Sequence, residues 1–125
     1  MIPKFRAWHN KYKEMGKVKR IRFDDDGNIS NVLFKGNLFG VNVKINEIEL
    51  MQATGLKDKN GKEIFEGDIL HGNDGEDFWD VVKYDKNDAV WIRESVYCSS
   101  MLYLYENTET PSIVGNIYEN PEVLR

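Results

Sequence analysis

Five residues in one short stretch carry groups able to move a proton: Glu66, Asp68, His71, Asp74 and Asp77. A histidine flanked by carboxylates suits general acid–base work, because imidazole titrates near neutrality and a carboxylate fixes its tautomer. That chemistry requires Asp68 and His71 to converge in a cleft. The surrounding letters favour a plainer reading. Residues 72–77, GNDGED, have the composition of a solvated loop whose carboxylates repel one another and stay exposed. Glu66-Gly67-Asp68-Ile69 reads as a turn entering a strand, with Gly67 at positive φ and Asp68 bonding local amides.

Other chemistries fail on residue type or spacing. His9 and His71 are the only histidines, and no His-x-x-x-His or Glu-x-x-His pair occurs. With Gly27, Gly61 or Gly75 at the invariant glycine of a calcium loop, the first-ligand place falls to Arg22, Leu56 or Leu70, none of which can serve. The chain has no G-x-x-x-x-G-K-[ST], no G-x-G-x-x-G and no G-x-S-x-G. The single cysteine, Cys98, lies among Val96, Tyr97 and Met101 and is expected to be a small buried hydrophobe. No catalytic residue, metal or cofactor is therefore expected, and the chain is read as a non-enzyme.

Charge is the stronger signal. The net charge of −4 conceals a division: residues 1–22 carry eight bases against one acid, Glu14, whereas the rest carries nine bases and twenty acids. Lys11, Lys13, Lys17, Lys19, Arg20 and Arg22 are the candidate polyanion- or partner-binding residues, and Phe5, Trp8 and Tyr12 interleave with them as stacking groups. The favoured reading is that a basic strand neutralises the acidic body of its own fold or of a neighbouring subunit. A sequence pI of 5.2 works against general affinity for polyanions.

The elements that must position these residues read as strands. The 125 residues are 41% hydrophobic and 30% charged, the balance of one folded domain spanning 1–125. Residues 17–23 and 29–34 flank Asp24-Asp25-Asp26-Gly27-Asn28, a hairpin signal. Val41, Val43 and Ile45 alternate with polar residues. Residues 46–53 are expected to make one short helical turn with Asn46 as N-cap, a continued strand being the alternative. A second hairpin is expected at Asn60-Gly61, with both residues at positive φ. Strands follow at 78–84, 89–92 and 113–118, and residues 96–105 fit a strand or a helix. Seven or eight short strands and one or two helical turns point to a mainly β fold, an antiparallel sheet rolled into a small barrel or sandwich.

Residues 50–70, LMQATGLKDKNGKEIFEGDIL, carry a dense run of distinctive letters. They resemble the signature of the YopX-like family of phage and prophage proteins, "Gln-aromatic-Thr-Gly-Leu-x-Asp-x-Asn-Gly-x-x-Ile-aromatic-Glu-Gly-Asp-Ile". The family's aromatic-Arg-Ala-Trp opening is matched by Phe5-Arg6-Ala7-Trp8, and its closing Gly-Asn-Ile-x-Glu-Asn-Pro-Glu segment by residues within Ile113 to Leu124. Ala53 stands where an aromatic is usual, which implies a packing difference rather than a functional one. The resemblance implies a phage or prophage origin but no activity and no catalytic residue. The positions it picks out, Trp8, Thr54, Gly55, Asn60, Gly61, Glu66, Gly67, Asp68, Gly115 and Asn116, are read as structural.

The expected function is accordingly that of a phage accessory protein acting by protein binding or self-assembly, as a homo-oligomer or on a host or phage protein. The alternative is a small nucleic-acid-binding β-barrel that uses the basic N-terminal segment. The longest uncharged stretch, residues 95–105, is well short of the roughly 20 residues that span a bilayer as a helix, so no membrane partner is expected. A cytoplasmic location in a bacterial host is the matching expectation.

Overall fold

The computed structural model describes residues 3–37, 40–73, 75–97, 101–103 and 111–124. The chain divides into two compact units, residues 1–52 and 53–125. In the first, strands β1 (Phe5–His9), β2 (Glu14–Phe23), β3 (Ile29–Lys35) and β4 (Gly40–Lys44) are joined by the start of β5 (Ile48–Lys57). The order is β4-β3-β2-β1-β5, antiparallel throughout.

Alternating side chains turn one face of this sheet into a core. Ala7, Val32, Phe34, Val43 and Ile48 are buried there, and Val18, Ile21, Ile29, Val41, Ile45 and Leu50 pack against them. Val18 and Ile21 are three positions apart, so a regular strand would put them on opposite faces. The register shifts between Val18 and Arg20, where Lys19 is the extra residue of a bulge, and this resets the alternation.

In the second unit the end of β5 pairs with β6 (Glu63–Phe65). Strands β7 (Asp68–Asn73), β8 (Asp77–Asp85), β9 (Val90–Ser95), β10 (Met101–Tyr103) and β11 (Ser112–Asn116) form an antiparallel sheet in the order β10-β9-β8-β7-β11. Ile64, Leu70 and Val82 form its core cluster, with Trp91 and Ile113 packed on it. Ile69, Val81 and Ile92 are buried as well.

Two hairpin turns are built alike. The Asp24 amide donates to the Asn28 carbonyl and the Gly27 amide to the Asp24 carbonyl; the Asp58 amide donates to the Lys62 carbonyl and the Gly61 amide to the Asp58 carbonyl. Asp24 Oδ1 accepts the amides of Asp26 and Asn28, and Asp58 Oδ1 those of Asn60 and Lys62. Gly27 and Gly61 both sit at positive φ, near 85° and 81°. Asn60 does not, so the expectation of two positive-φ residues at Asn60-Gly61 is corrected. An aspartate that gathers two amides ahead of a left-handed glycine closes the turn with one such residue.

The mainly β, antiparallel expectation stands, but the sheets are open rather than closed into a barrel. Eleven strands occur among the described residues, more than the seven or eight expected; β1 in particular alternates too briefly to register. No α-helix occurs among them; 3-10 turns span Ile45–Glu47 and Pro121–Leu124. The expected helical turn at 46–53 is thus shorter and earlier. Glu47 Oε2 accepts the Lys44 amide, making Lys44 rather than Asn46 the entry residue, and from Ile48 the chain is strand. No described helix is long and apolar enough to cross a membrane.

Candidate functional site

The bulge at Lys19 that sends Val18 and Ile21 into the core sends Lys17, Arg20 and Arg22 to the other face. Residues directly opposite on neighbouring strands share a face, so the register identifies who stands beside them. Arg6, Lys17 and Lys35 form one row across β1, β2 and β3. Arg20, Leu33 and Asn42 form the next, and Arg22, Asn31 and Lys44 the third. Six cations therefore share the face, on strands about 4.8 Å apart. Glu49, opposite Trp8, is the one carboxylate that register places there among the described residues of these strands.

Lys17, Arg20, Arg22 and Lys44 are exposed. Like charges directly opposite one another cost roughly 0.2–1 kcal/mol per pair relative to neutral neighbours. The Arg6–Lys17–Lys35 row thus brings three cations side by side on one face.

The six sequence candidates do not all gather there. Lys19 is exposed at the bulge, and Lys11 and Lys13 are exposed on the turn joining β1 to β2. The Lys13 amide donates to the His9 carbonyl at 2.9 Å, and Lys13 itself adopts φ 54°. Arg6 belongs to the basic segment 1–22 but not to the six candidates, and Lys35 and Lys44 lie beyond that segment as single cations within polar strands. Only register brings them beside Lys17, Arg20 and Arg22. Trp8 is buried, at 8% exposure, and offers no stacking platform, whereas Tyr12 and Phe23 are exposed.

The acid–base stretch comes apart. Asp68 and His71 are three residues apart on β7 and so face opposite sides of the sheet. Asp68 is buried and its Oδ2 accepts the Phe65 amide at 2.8 Å. His71 lies against Trp79, 4.1 Å between ring centres, with Nε2 3.4 Å from Asp77 Oδ1. Glu66 is half-buried in the turn between β6 and β7. Asp74 and Cys98 lie outside the described residues, and with them the expectation that Cys98 is buried. Among the described residues no cluster of histidine, cysteine and acid side chains could hold a metal ion.

The signature positions of the second unit meet in hydrogen-bonded turns. Thr54 Oγ1 donates to the Ile64 carbonyl at 2.8 Å and accepts the Leu56 amide, across an irregularity of β5 that contains Gly55 at φ 85°. Gly67, at φ 88°, donates its amide to the Val82 carbonyl, while its own carbonyl accepts the Ile117 amide. Asn116 Oδ1 accepts the amides of Tyr118 and Glu119, its Nδ2 donates to Glu119, and Asn120 Oδ1 accepts the Asn116 amide beside Gly115. Asp58, buried, binds Ile113 as well: its Oδ2 accepts that amide at 3.0 Å, tying the hairpin to β11. Burial pushes the Asp58 carboxyl up, but the amides of Ile113, Lys62 and Asn60, with the Lys62 charge, hold it below its ordinary value. Ala53 is buried opposite Phe65 on β6, which puts an aromatic beside the position where the signature has its own.

One buried ion pair had no counterpart in the sequence reading. Arg93 Nε lies 3.4 Å from Asp80 Oδ2, both side chains almost fully enclosed, with the guanidinium 4.9 Å from the Phe78 ring centre. Burial raises the Asp80 carboxyl above its ordinary range, and the Arg93 charge only partly opposes this. Charged letters inside otherwise strand-like runs were the signal available.

Comparison with known proteins adds a family and a fold. The family model described as YopX protein matches residues 4–125. The crystal structure of protein EF1440 from Enterococcus faecalis is similar over 100% of this chain and 99% of its own, with 33% identity and a TM-score of 0.71. No curated protein matches the chain.

Proposed function

This chain belongs to the YopX protein family, and on that premise we propose that it is a phage- or prophage-encoded accessory protein that works by binding rather than by catalysis. Its contact surface is the cationic face of the N-terminal sheet, which docks on an acidic protein surface, a second copy of the chain included. One observation carries this reading: six basic residues from four strands share a face on which like charges stand directly opposite one another. Cations clustered on one face set up a positive field that an anionic protein surface complements. The divergence of Asp68 and His71 supports the non-catalytic part.

A protein partner is favoured over nucleic acid by the rest of the molecule. Residues 53–125 carry seven bases and fifteen acids, a field that opposes approach of a long polyanion. Trp8 is also buried rather than available for stacking.

The test compares the wild-type chain with Lys17→Glu/Arg20→Glu/Arg22→Glu. Both are used as bait in host lysate with and without nuclease, and both are weighed in solution. Protein recovered by the wild type after nuclease, or a salt-sensitive oligomer, absent in either case from the triple variant, is the expected result. Recovery that is nuclease-sensitive throughout, or equal for bait and variant, removes the proposal.

A further inference from the structure

The core-facing side of the first unit holds a second place where chemistry is unfinished. A cavity of about 480 Å³ lies among His9, Tyr12, Glu14, Phe34, Val43 and Glu47. His9 pairs with Ile48 and shares the face of Ala7, opposite to the face of Arg6. The cavity and the cationic lattice are therefore on different sides of the sheet.

His9 is 97% buried, with a ring 4.3 Å from that of Tyr12 and 5.7 Å from that of Phe34. The Tyr12 amide donates to Nδ1 at 3.2 Å, so the proton of the neutral imidazole is on Nε2. No group among the described residues accepts from Nε2. Nε2 is not among the fully enclosed polar atoms that lack a partner, so an acceptor held in the cavity can reach its proton.

The rest of the lining is acidic and aromatic. Glu14 accepts the Asn37 amide and Glu47 Oε2 accepts the Lys44 amide at 3.2 Å, and each carboxylate keeps lone pairs for a further donor. No lysine or arginine side chain lines the cavity among the described residues. Phe34, Val41 and Val43 supply an apolar wall. Carboxylates and aromatic faces favour a cation, and the apolar wall favours an alkyl stem.

We propose that this cavity binds a compound bearing a guanidinium or ammonium head, an alkyl stem and a carbonyl or carboxylate acceptor: the chemistry of arginine and lysine, free or as a residue of a peptide. The head sits with the Glu14 and Glu47 carboxylates, the stem lies along Phe34, Val41 and Val43, and the acceptor takes the His9 Nε2 proton. This site is independent of the cationic face and of the partner proposed for it.

The test titrates the full chain with arginine, with arginine capped as an acetyl amide, and with citrulline, its neutral isostere, while NMR follows the His9 and Tyr12 ring signals. Saturable shifts with an arginine compound and none with citrulline are expected. Response to the capped compound assigns a peptide residue as the source, and response to the free amino acid alone assigns a small molecule. Glu14→Gln/Glu47→Gln keeps a carbonyl oxygen for the Asn37 and Lys44 amides, so it folds, as its melting curve checks. It is expected to bind arginine about tenfold more weakly or worse. Citrulline binding as well as arginine, arginine binding unchanged in the glutamine variant, or ring signals unmoved by any compound overturns the assignment.

Discussion

Asp24 and Asp58 make the same turn with the same pair of amides, yet they hold different amounts of structure. Asp24 is exposed and serves its own hairpin, whereas Asp58 is buried and also binds the Ile113 amide fifty-five residues away. Asp58→Asn turns an amide donor toward a backbone donor and loses that bond, at roughly 1.5–3 kcal/mol. Asp24→Asn stays within about 1 kcal/mol, since water replaces what it loses. Denaturant unfolding of the two variants checks the contrast. The Asp58 effect also depends on pH. Because its folded carboxyl lies below the ordinary value of 3.8, the unfolded chain takes up the proton first as the solution is acidified. Its stabilisation is complete above 3.8 and is lost as pH falls through the folded value, so the gap between wild type and Asp58→Asn narrows in acid. A gap constant from neutral to strongly acidic solution contradicts the assigned cause. Gly67 is a separate case. At φ 88° with both backbone groups bonded, Gly67→Ala costs about 1–2 kcal/mol, read as a lower melting temperature.

Between residue and fold stands the bulge in β2. The letters KVKRIRF announce a strand with basic residues, but nothing in them says where alternation breaks. Lys19 is one of several equally suitable extra residues, and its choice is made by the fit of Val18 and Ile21 against Phe34 and Val32 across β3. The hairpin at Asp24 to Asn28 was legible because its turn is local: an aspartate oxygen meets amides two and four residues on. The cationic face was not, because Arg6, Lys35 and Lys44 join it through pairings spread over forty residues of chain. The divergence of Asp68 and His71 follows from strand geometry in the same way: three positions along a strand mean opposite faces. At this scale stability and binding pull apart. Lys17→Glu replaces a like-charged neighbour of Arg6 and Lys35 with an opposite one and is expected to raise unfolding stability by about 0.2–1 kcal/mol. The same change weakens capture of an acidic partner. A variant that is both less stable and equally competent in capture shows that the face is neither strained nor used.

For the molecule as a whole, the two units are of opposite character. Residues 1–52 carry ten bases and six acids, and residues 53–125 carry seven and fifteen, a surplus of four positive charges against eight negative. Where the proposed partner is a second copy, the basic unit of one chain is expected to meet the acidic unit of the other, and a two-fold arrangement satisfies that attraction twice. The attraction is between exposed charges and is screened beyond about 8 Å at physiological salt, so any self-association it drives must fade as salt is added. Sedimentation at low salt is therefore expected to give a mass above the 14.6 kDa of one chain, rising with concentration and returning to that value in high salt. Lys17→Glu/Arg20→Glu/Arg22→Glu is expected to remain at one chain throughout, since it removes three of the cations and adds three repelling carboxylates. A wild-type chain that stays monomeric at low salt eliminates the second copy as the partner and leaves an acidic surface on a different protein. An oligomer that survives high salt, or that forms equally well in the triple variant, is held by apolar contacts and takes the cationic face out of the assembly altogether.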